Sequence, residues 1–171
     1  MSLPFVPLEN VPPHGMTVRV GAWAQTAAEE ALGGTDVVAS GTLEVRRTGR
    51  DLHVTGTLHG RANGACDRCV APVPLVVALT VDCLYAAPRK DDETIPDDAY
   101  AEIGDYDGAT LDMAHVVRET LALERPARLR CADVDPDQDA SCHARWRSAA
   151  GNPDPNPDPR LAALAGFKTS H

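Results

Sequence analysis

Aromatic side chains and long apolar runs are both scarce in this chain. Only 4% of its 171 residues are Phe, Trp or Tyr, although 43% are hydrophobic, so a folded core must consist mainly of Val, Leu and Ala. No run of about 18 apolar residues occurs, and we therefore expect no transmembrane helix. The first residues also lack the basic start and apolar stretch of a secretory signal. We accordingly expect a cytoplasmic location.

Positive charge is missing from one long segment. Residues 91–107, the acidic segment, contain eight carboxylates and no Lys or Arg, and the whole chain has a formal net charge of −9. Indiscriminate binding to nucleic acid is not expected, because it needs a basic surface. Outside residues 91–107 and 133–139, however, 16 basic groups accompany 13 acidic groups. The composition is therefore compatible with a local basic surface.

A disulfide framework is not indicated. Five cysteines is an odd number, and without an export signal cysteines are more often metal ligands, redox groups or core residues. Cys66 and Cys69, the first pair, are separated by two residues, whereas Cys131 and Cys142, the second pair, are separated by ten. Cys83 shares the apolar face of a predicted strand, so we interpret it as a buried core residue.

Alternation of apolar and polar residues predicts antiparallel strands. Residues 37–46 and 52–59 alternate with a period of two around a turn at residues 48–51, which predicts a hairpin with one buried face. Residues 73–85 alternate without a break, so the first cysteine pair would lie at the turn of a second hairpin. The predicted fold class is α+β, a mainly antiparallel sheet or partly open barrel with a packed helix and a C-terminal segment tethered by cysteines.

Two helices accompany these strands. Residues 23–32 are rich in alanine and end at two glycines, which predicts a short helix. Residues 110–123 form the clearest helical pattern, with Thr110 as the expected cap and Pro126 as the stop. The apolar stripe of this second helix consists of Met113, Val116, Val117 and Leu121.

The same patterns divide the chain into three parts. Residues 1–35 form an N-terminal segment with a strand and a short helix, and residues 36–147 form the core domain with the four cysteines. Residues 148–171 begin with a linker rich in proline and asparagine. A short helix at residues 160–168 is expected to follow the linker.

The two cysteine pairs are candidate ligands of a structural Zn²⁺. Zn²⁺ favours four thiolate or imidazole ligands, and a Cys-x2-Cys half-site is common. Four protein ligands leave no position for water, so such a metal would be structural. His143 is a candidate substitute for Cys142. A regulatory or catalytic disulfide is the alternative, although the first pair precedes a strand and not the helix N-terminus that usually activates a redox thiol.

Other catalytic or ligand-binding patterns are incomplete. Aspartates at positions 133, 135, 137 and 139 alternate as in a calcium-binding loop, but the required glycine is missing and Ala144 occupies the position of the bidentate Glu. No phosphate-binding glycine loop occurs. We therefore predict no catalytic residues, no small-molecule substrate and no enzymatic activity.

Basic residues flank both cysteine pairs. If the four sulfurs converge, these charges gather around them, with an indole among them. Arginine beside an aromatic ring can bind phosphate and stack on a base, while pairing with neighbouring aspartates is an equally weighted interpretation. The candidate residues for contact with rRNA or a partner are Arg61, Arg68, Arg125, Arg128, Arg130, Arg145, Trp146 and Arg147.

An ordered set of short motifs resembles a known family. The motifs are Cys66-Asp67-Arg68-Cys69 after a hairpin, Leu111-Asp112-Met113 at a helix start, Glu119 with Leu121 and Leu123, Pro126 before Cys131, then Cys142, and finally Asp158-Pro159-Arg160-Leu161-Ala162-Ala163-Leu164. Over residues 36–168 the chain resembles the bacterial YceD family, which also occurs in plastids.

The resemblance implies a non-enzymatic factor in large ribosomal subunit biogenesis. Such a factor would support synthesis, processing or accumulation of 23S rRNA by binding precursor rRNA, an assembly intermediate or a ribosomal protein. The residues also leave two other hypotheses open. One is a thiol redox sensor or oxidoreductase that uses Cys66 and Cys69, and the other is a zinc-bearing protein–protein adaptor that docks through the acidic segment.

Overall fold

The computed structural model describes residues 5–87 and 102–149, with only the backbone described for residues 102–105. The strands in these ranges are β1 (Phe5–Pro7), β2 (Met16–Val20), β3 (Thr35–Thr48), β4 (Asp51–Ala65), β5 (Pro72–Ala86), β6 (Glu102–Asp105) and β7 (Thr110–Asp112). The helices are α1 (Gln25–Leu32), α2 (Met113–Glu124), α3 (Cys131–Val134) and α4 (Asp139–Ala149). The linker and helix expected at residues 151–168, and most of the acidic segment, lie outside the described residues.

One open sheet organises the fold. Its strand order is β2-β3-β4-β5-β6, with antiparallel pairing except between β5 and β6, while β1 and β7 form a separate two-stranded sheet. The predicted α+β class with a mainly antiparallel sheet is confirmed. The long hairpin turns at Gly49, whose φ of 64° suits the first position of a two-residue hairpin loop.

Helices α1 and α2 cover one face of the sheet and form the main core with it. The alternating residues identified in the sequence point inward, and Val45, Val54 and Cys83 face one another across three strands. The interpretation of Cys83 as a core residue is confirmed. Gly60 lets α1 pack close against β4, because a Cβ at this position would lie only 2.8 Å from Cδ1 of Leu32.

The start of α2 differs from the sequence-based prediction. Thr110 is not the cap, because residues 110–112 pair with β1 as strand β7 and the helix begins at Met113. The Asp112 side chain accepts hydrogen bonds from the backbone N–H groups of Ala114 and His115 at 2.9 and 3.3 Å and is therefore the N-cap. The four residues of the predicted apolar stripe are all buried.

A second, much smaller core joins α3 and α4 to the sheet. Its buried members are Cys66, Val73, Cys131 and Cys142, and Leu129 packs against it. The buried members are clustered apart from the main core, whereas Leu129 packs against both. The C-terminal helices therefore depend on the cysteine region for their position. No helix within the described ranges is both long and apolar enough to cross a membrane.

Candidate metal centre

The four cysteines of the two pairs meet at one point. Sγ of Cys66 lies 3.7 Å from Sγ of Cys142, and Sγ of Cys69 lies 3.6 Å from Sγ of Cys131. All four sulfur atoms lie within 4.8 Å of one another. Cys69 is half-buried and the other three are buried. Residues separated by more than 60 positions in sequence thus form a single cluster.

The first pair lies in a tight turn between β4 and β5. The N–H of Val70 donates to the carbonyl of Cys66 at 2.8 Å, and the N–H of Cys66 donates to the carbonyl of Ala71 at 2.8 Å. The N–H of Arg68 also donates to Sγ of Cys66 at 3.4 Å. Val70 has a φ of 61°, which is unusual for a β-branched residue. The turn brings both sulfurs to the same side.

The second pair is placed by α3 and α4, and aspartates cap α3 and the 3₁₀ helix Pro136–Gln138 that lies between them. Cys131 begins α3 and Cys142 lies within α4. Asp133 accepts from the backbone N–H of Arg130 at 2.9 Å, and Asp135 accepts from the backbone N–H of Asp137 at 3.1 Å. These short helices span the ten residues between the cysteines. The capping role also accounts for aspartates that the sequence left without a function.

Residues between the cysteines of the first pair anchor the C-terminal segment. Asp67 forms two hydrogen bonds with Leu129: its N–H donates to the carbonyl at 2.8 Å, and its Oδ2 accepts from the backbone N–H at 2.7 Å. Arg68 forms an ion pair with Asp139 at 2.8 Å. A Cβ on Gly64 would lie 2.6 Å from Cδ2 of Leu129. Sequence reasoning missed Asp67, Gly64 and Leu129; the position of Asp67 inside the Cys-x2-Cys motif was the available signal.

Arg145 lies directly against the cluster. Its Nε donates to Sγ of Cys69 at 3.5 Å, and its Nη2 donates to Sγ of Cys131 at 3.4 Å. A positive donor in this position favours ionised sulfur. Outer-sphere donors of this kind orient and tune metal ligands.

The two pairs differ in how readily they ionise. Burial raises the pKa of the Cys66 thiol, but hydrogen bonds from backbone N–H groups around the turn outweigh burial and lower that pKa to about 6. The hydrogen bond from Arg145 lowers the pKa of Cys69. Burial raises the pKa of both Cys131 and Cys142. The first pair therefore supplies thiolates more readily than the second. The amides that lower the pKa of Cys66 are those of Arg68 and Cys69 in the turn and of Cys131 at the start of α3.

The donor set and its dimensions suit a tetrahedral metal ion. A centre about 2.3 Å from each sulfur gives tetrahedral edges of about 3.8 Å, close to the observed 3.6 and 3.7 Å. A disulfide would need about 2.05 Å between sulfurs, and the five cysteines are free thiols. Cys142, and not His143, is the fourth member of this cluster. The four cysteines can hold one soft metal ion in a closed site.

The flanking basic residues do not share one surface. A groove of about 640 Å³ adjoins the cluster, and we call it the Trp146 groove. Arg125 lines a separate cavity of about 330 Å³, Arg61 is exposed on β4, and Arg147 is exposed on α4. The Trp146 groove is lined by Asp67, Arg68, Ala127, Arg128, Arg130, His143 and Trp146.

Charge pairing in the groove is incomplete. Arg68 is bound to Asp139, as the pairing interpretation expected. Across residues 5–87 and 102–149, neither Arg128 nor Arg130 has an ion-pair partner. The pairing interpretation therefore holds for Arg68, while the interpretation of Arg128 and Arg130 as contacts with rRNA or a partner stays a prediction.

Comparison with known proteins identifies a family and several relatives. A family model described as "Large ribosomal RNA subunit accumulation protein YceD" matches residues 54–168. An uncharacterized protein of Mycobacterium bovis is 30% identical over 123 residues, which cover 71% of this chain and 58% of the relative. Two uncharacterized proteins of Mycobacterium tuberculosis match with the same identity and coverage. The chain thus spans 58% of the length of these relatives. No solved structure matches it.

Proposed function

This chain belongs to the YceD family, and from that membership we propose that it is a non-enzymatic factor in large ribosomal subunit biogenesis. It supports synthesis, processing or accumulation of 23S rRNA by binding rRNA or an assembly intermediate. The observation that carries the proposal is the family match over residues 54–168, which contain both cysteine pairs and all the anchoring residues around them. The family's description names accumulation of a ribosomal RNA subunit and no chemical reaction.

We also propose that the two cysteine pairs hold one structural Zn²⁺. The sulfur separations of 3.6 and 3.7 Å and the all-thiolate donor set support this assignment. Four protein ligands leave the ion closed to water, so its role is to hold α3 and α4 against the β4–β5 turn.

Metal analysis of reductively purified protein tests the assignment. We expect about one equivalent of zinc per chain, and less than about half an equivalent would contradict it. Cys142→Ser should lose the metal. Cys83→Ala is the matched control, because Cys83 lies in the main core and should leave the zinc content unchanged.

Depletion of the protein tests the biological role. Large-subunit rRNA should fall or accumulate as precursor in depleted cells, and re-expression of the wild-type chain should restore it. A normal rRNA profile after depletion would reject the proposed function. Cys142→Ser, tested in the same cells, shows whether the role requires the metal centre.

A redox role is favoured by one contact, the hydrogen bond of 3.5 Å from Nε of Arg145 to Sγ of the half-buried Cys69, which lowers the pKa of that thiol. If Cys66 and Cys69 form a reversible disulfide under mild oxidation while the purified protein contains no metal, the redox reading replaces the zinc proposal. Metal-blocked thiols that resist alkylation would exclude it. Deletion of the acidic segment tests the adaptor hypothesis, because an adaptor would then lose its protein partner and keep any RNA affinity.

A further inference from the structure

The Trp146 groove has an aromatic wall that contributes to no core. Trp146 is 46% exposed, and Cys142 is the one buried residue of α4. The His143 ring stands edge-on to the indole, with ring centroids 6.3 Å apart and an interplanar angle of 78°. The half-exposed indole is therefore accessible to a ligand.

The lining of the groove also carries positive charge. Arg128 and Arg130 lie on the segment between α2 and α3, which the hydrogen bonds between Asp67 and Leu129 hold against the β4–β5 turn. Both guanidinium groups lack an ion-pair partner in the described part of the chain. Arginine binds phosphate through paired N–H donors. The lining of the groove thus combines two cationic side chains with a half-exposed indole.

A hydrogen-bond acceptor completes the lining. Asp67 uses Oδ2 to accept from Leu129, and its Oδ1 has no hydrogen-bond partner among the described residues. A free carboxylate oxygen can accept from the exocyclic amino group that adenine, cytosine and guanine carry and uracil lacks. The same oxygen repels an acidic peptide.

We propose that the Trp146 groove binds one or two unpaired nucleotides of single-stranded RNA. The base stacks on Trp146 and the phosphate lies between Arg128 and Arg130. The proposal rests on the proposed rRNA-related function and specifies that the protein binds RNA in its single-stranded form. The volume of about 640 Å³ falls within the range of about 300–1,000 Å³ usual for small-molecule sites. A duplex keeps its bases stacked and offers no base face to the indole.

The cysteine cluster builds this groove. Asp67 and Arg68 come from the turn of the first pair, and His143 and Trp146 flank Cys142 on α4. RNA binding should therefore be lost together with the metal. Loss of RNA binding on metal removal would distinguish binding in the groove from binding by basic residues that do not depend on the cluster.

Fluorescence anisotropy with short labelled RNA tests the proposal on the full-length, metal-loaded chain. Trp146→Ala should weaken binding of single-stranded RNA about 5- to 150-fold, the range for loss of one base–aromatic stack, and Trp146→Phe should retain most of the affinity. The double substitution of Arg128 and Arg130 by Gln should reduce the slope of log K against log salt by about 1.4, because each single-strand phosphate contact contributes about 0.7. Cytosine-only RNA should bind more tightly than uracil-only RNA.

The matched control is the double substitution of Arg19 and Arg47 by Gln. Both arginines are exposed on sheet strands, so the change removes the same charge outside the groove. The proposal is overturned if this control weakens binding as much as the groove variants, if duplex RNA binds as tightly, if an acidic peptide displaces the RNA, or if Trp146→Ala binds normally. Zinc content verifies that each variant is folded.

A cellular experiment distinguishes failure of this inference from failure of the proposed function. If depletion disturbs large-subunit rRNA and the Trp146→Ala protein restores it completely, the groove proposal is wrong and the function stands. If depletion leaves the rRNA normal, the proposed function is wrong.

Discussion

Removal of the metal should release α3 and α4 while the sheet stays folded. Among the described residues, the main core has 28 buried members, whereas the second core has four, of which three are cysteines of the cluster. Helices shorter than about 12–15 residues are marginal in water, and α4 has 11 residues and α3 has four. Neither helix is expected to persist without the sulfur-bound ion.

Without the metal, only a few weak contacts would hold α3 and α4 against the sheet. The two hydrogen bonds between Asp67 and Leu129 contribute about 0.5–1.5 kcal/mol each, and the part-exposed pair of Arg68 and Asp139 contributes about 0.2–1 kcal/mol. A metal present at a concentration of about 1,000 times its Kd adds about 4.1 kcal/mol. Its removal should therefore raise the opening equilibrium of this segment about 10³-fold.

Hydrogen exchange under reducing conditions, with and without a zinc chelator, measures this change. Amides of α4 should lose about three decades of protection after chelation, while amides of β3, β4 and β5 keep theirs. Trp146 fluorescence provides an independent signal of the same release. Equal loss of protection in the sheet would refute the separation of the two cores. Unchanged protection in α4 would show that the cluster does not hold the helices in place.

Three further predictions concern the scaffold and the ligands. Gly60→Ala should lower the free energy of unfolding, measured in urea, by about 1–3 kcal/mol, because the new methyl group overlaps Leu32. Gly21→Ala is the control and should cost much less, because no atom lies within 4 Å of its Cβ. Asp112→Ala should lower the free energy of unfolding by about 0.5–2 kcal/mol, because it removes the N-cap of α2. Thr110→Ala, measured in the same way, should be nearly neutral. The reverse order would contradict the observed helix start. Zinc affinity should rise about 100- to 1,000-fold between pH 7 and pH 8, because two or three thiols release protons on binding. Competition with a chromophoric chelator measures this affinity. A pH-independent affinity would contradict ligation by the second pair.

The strands and their buried faces could be predicted because the signal is local. Alternation with a period of two appears directly in residues 37–46, 52–59 and 73–85, and the observed strands contain all three ranges. The start of α2 could not be predicted in this way. Residues 110–112 pair with β1, more than 100 positions earlier, and this long-range pairing displaced the helix start from Thr110 to Asp112.

The candidate site shows the same division. The Cys-x2-Cys spacing and the flanking arginines are visible in the sequence, but Arg61, Arg125 and Arg147 do not line the groove that Arg68, Arg128 and Arg130 share. Distance along the chain to a cysteine does not determine on which side of a strand or helix an arginine lies. Only the docking of α4 places Trp146 beside those side chains.

The sequence by itself determined the residue types at the cluster, the sheet with one buried face and the capacity of four thiols for a soft metal, because each follows from composition or from periodicity within one element. The tertiary structure decided that sulfurs more than 60 residues apart lie 3.6 and 3.7 Å from each other, and which basic groups remain unpaired beside them. These depend on contacts between distant segments, and their geometry is fixed only when the β4–β5 turn, Leu129 and α4 pack together.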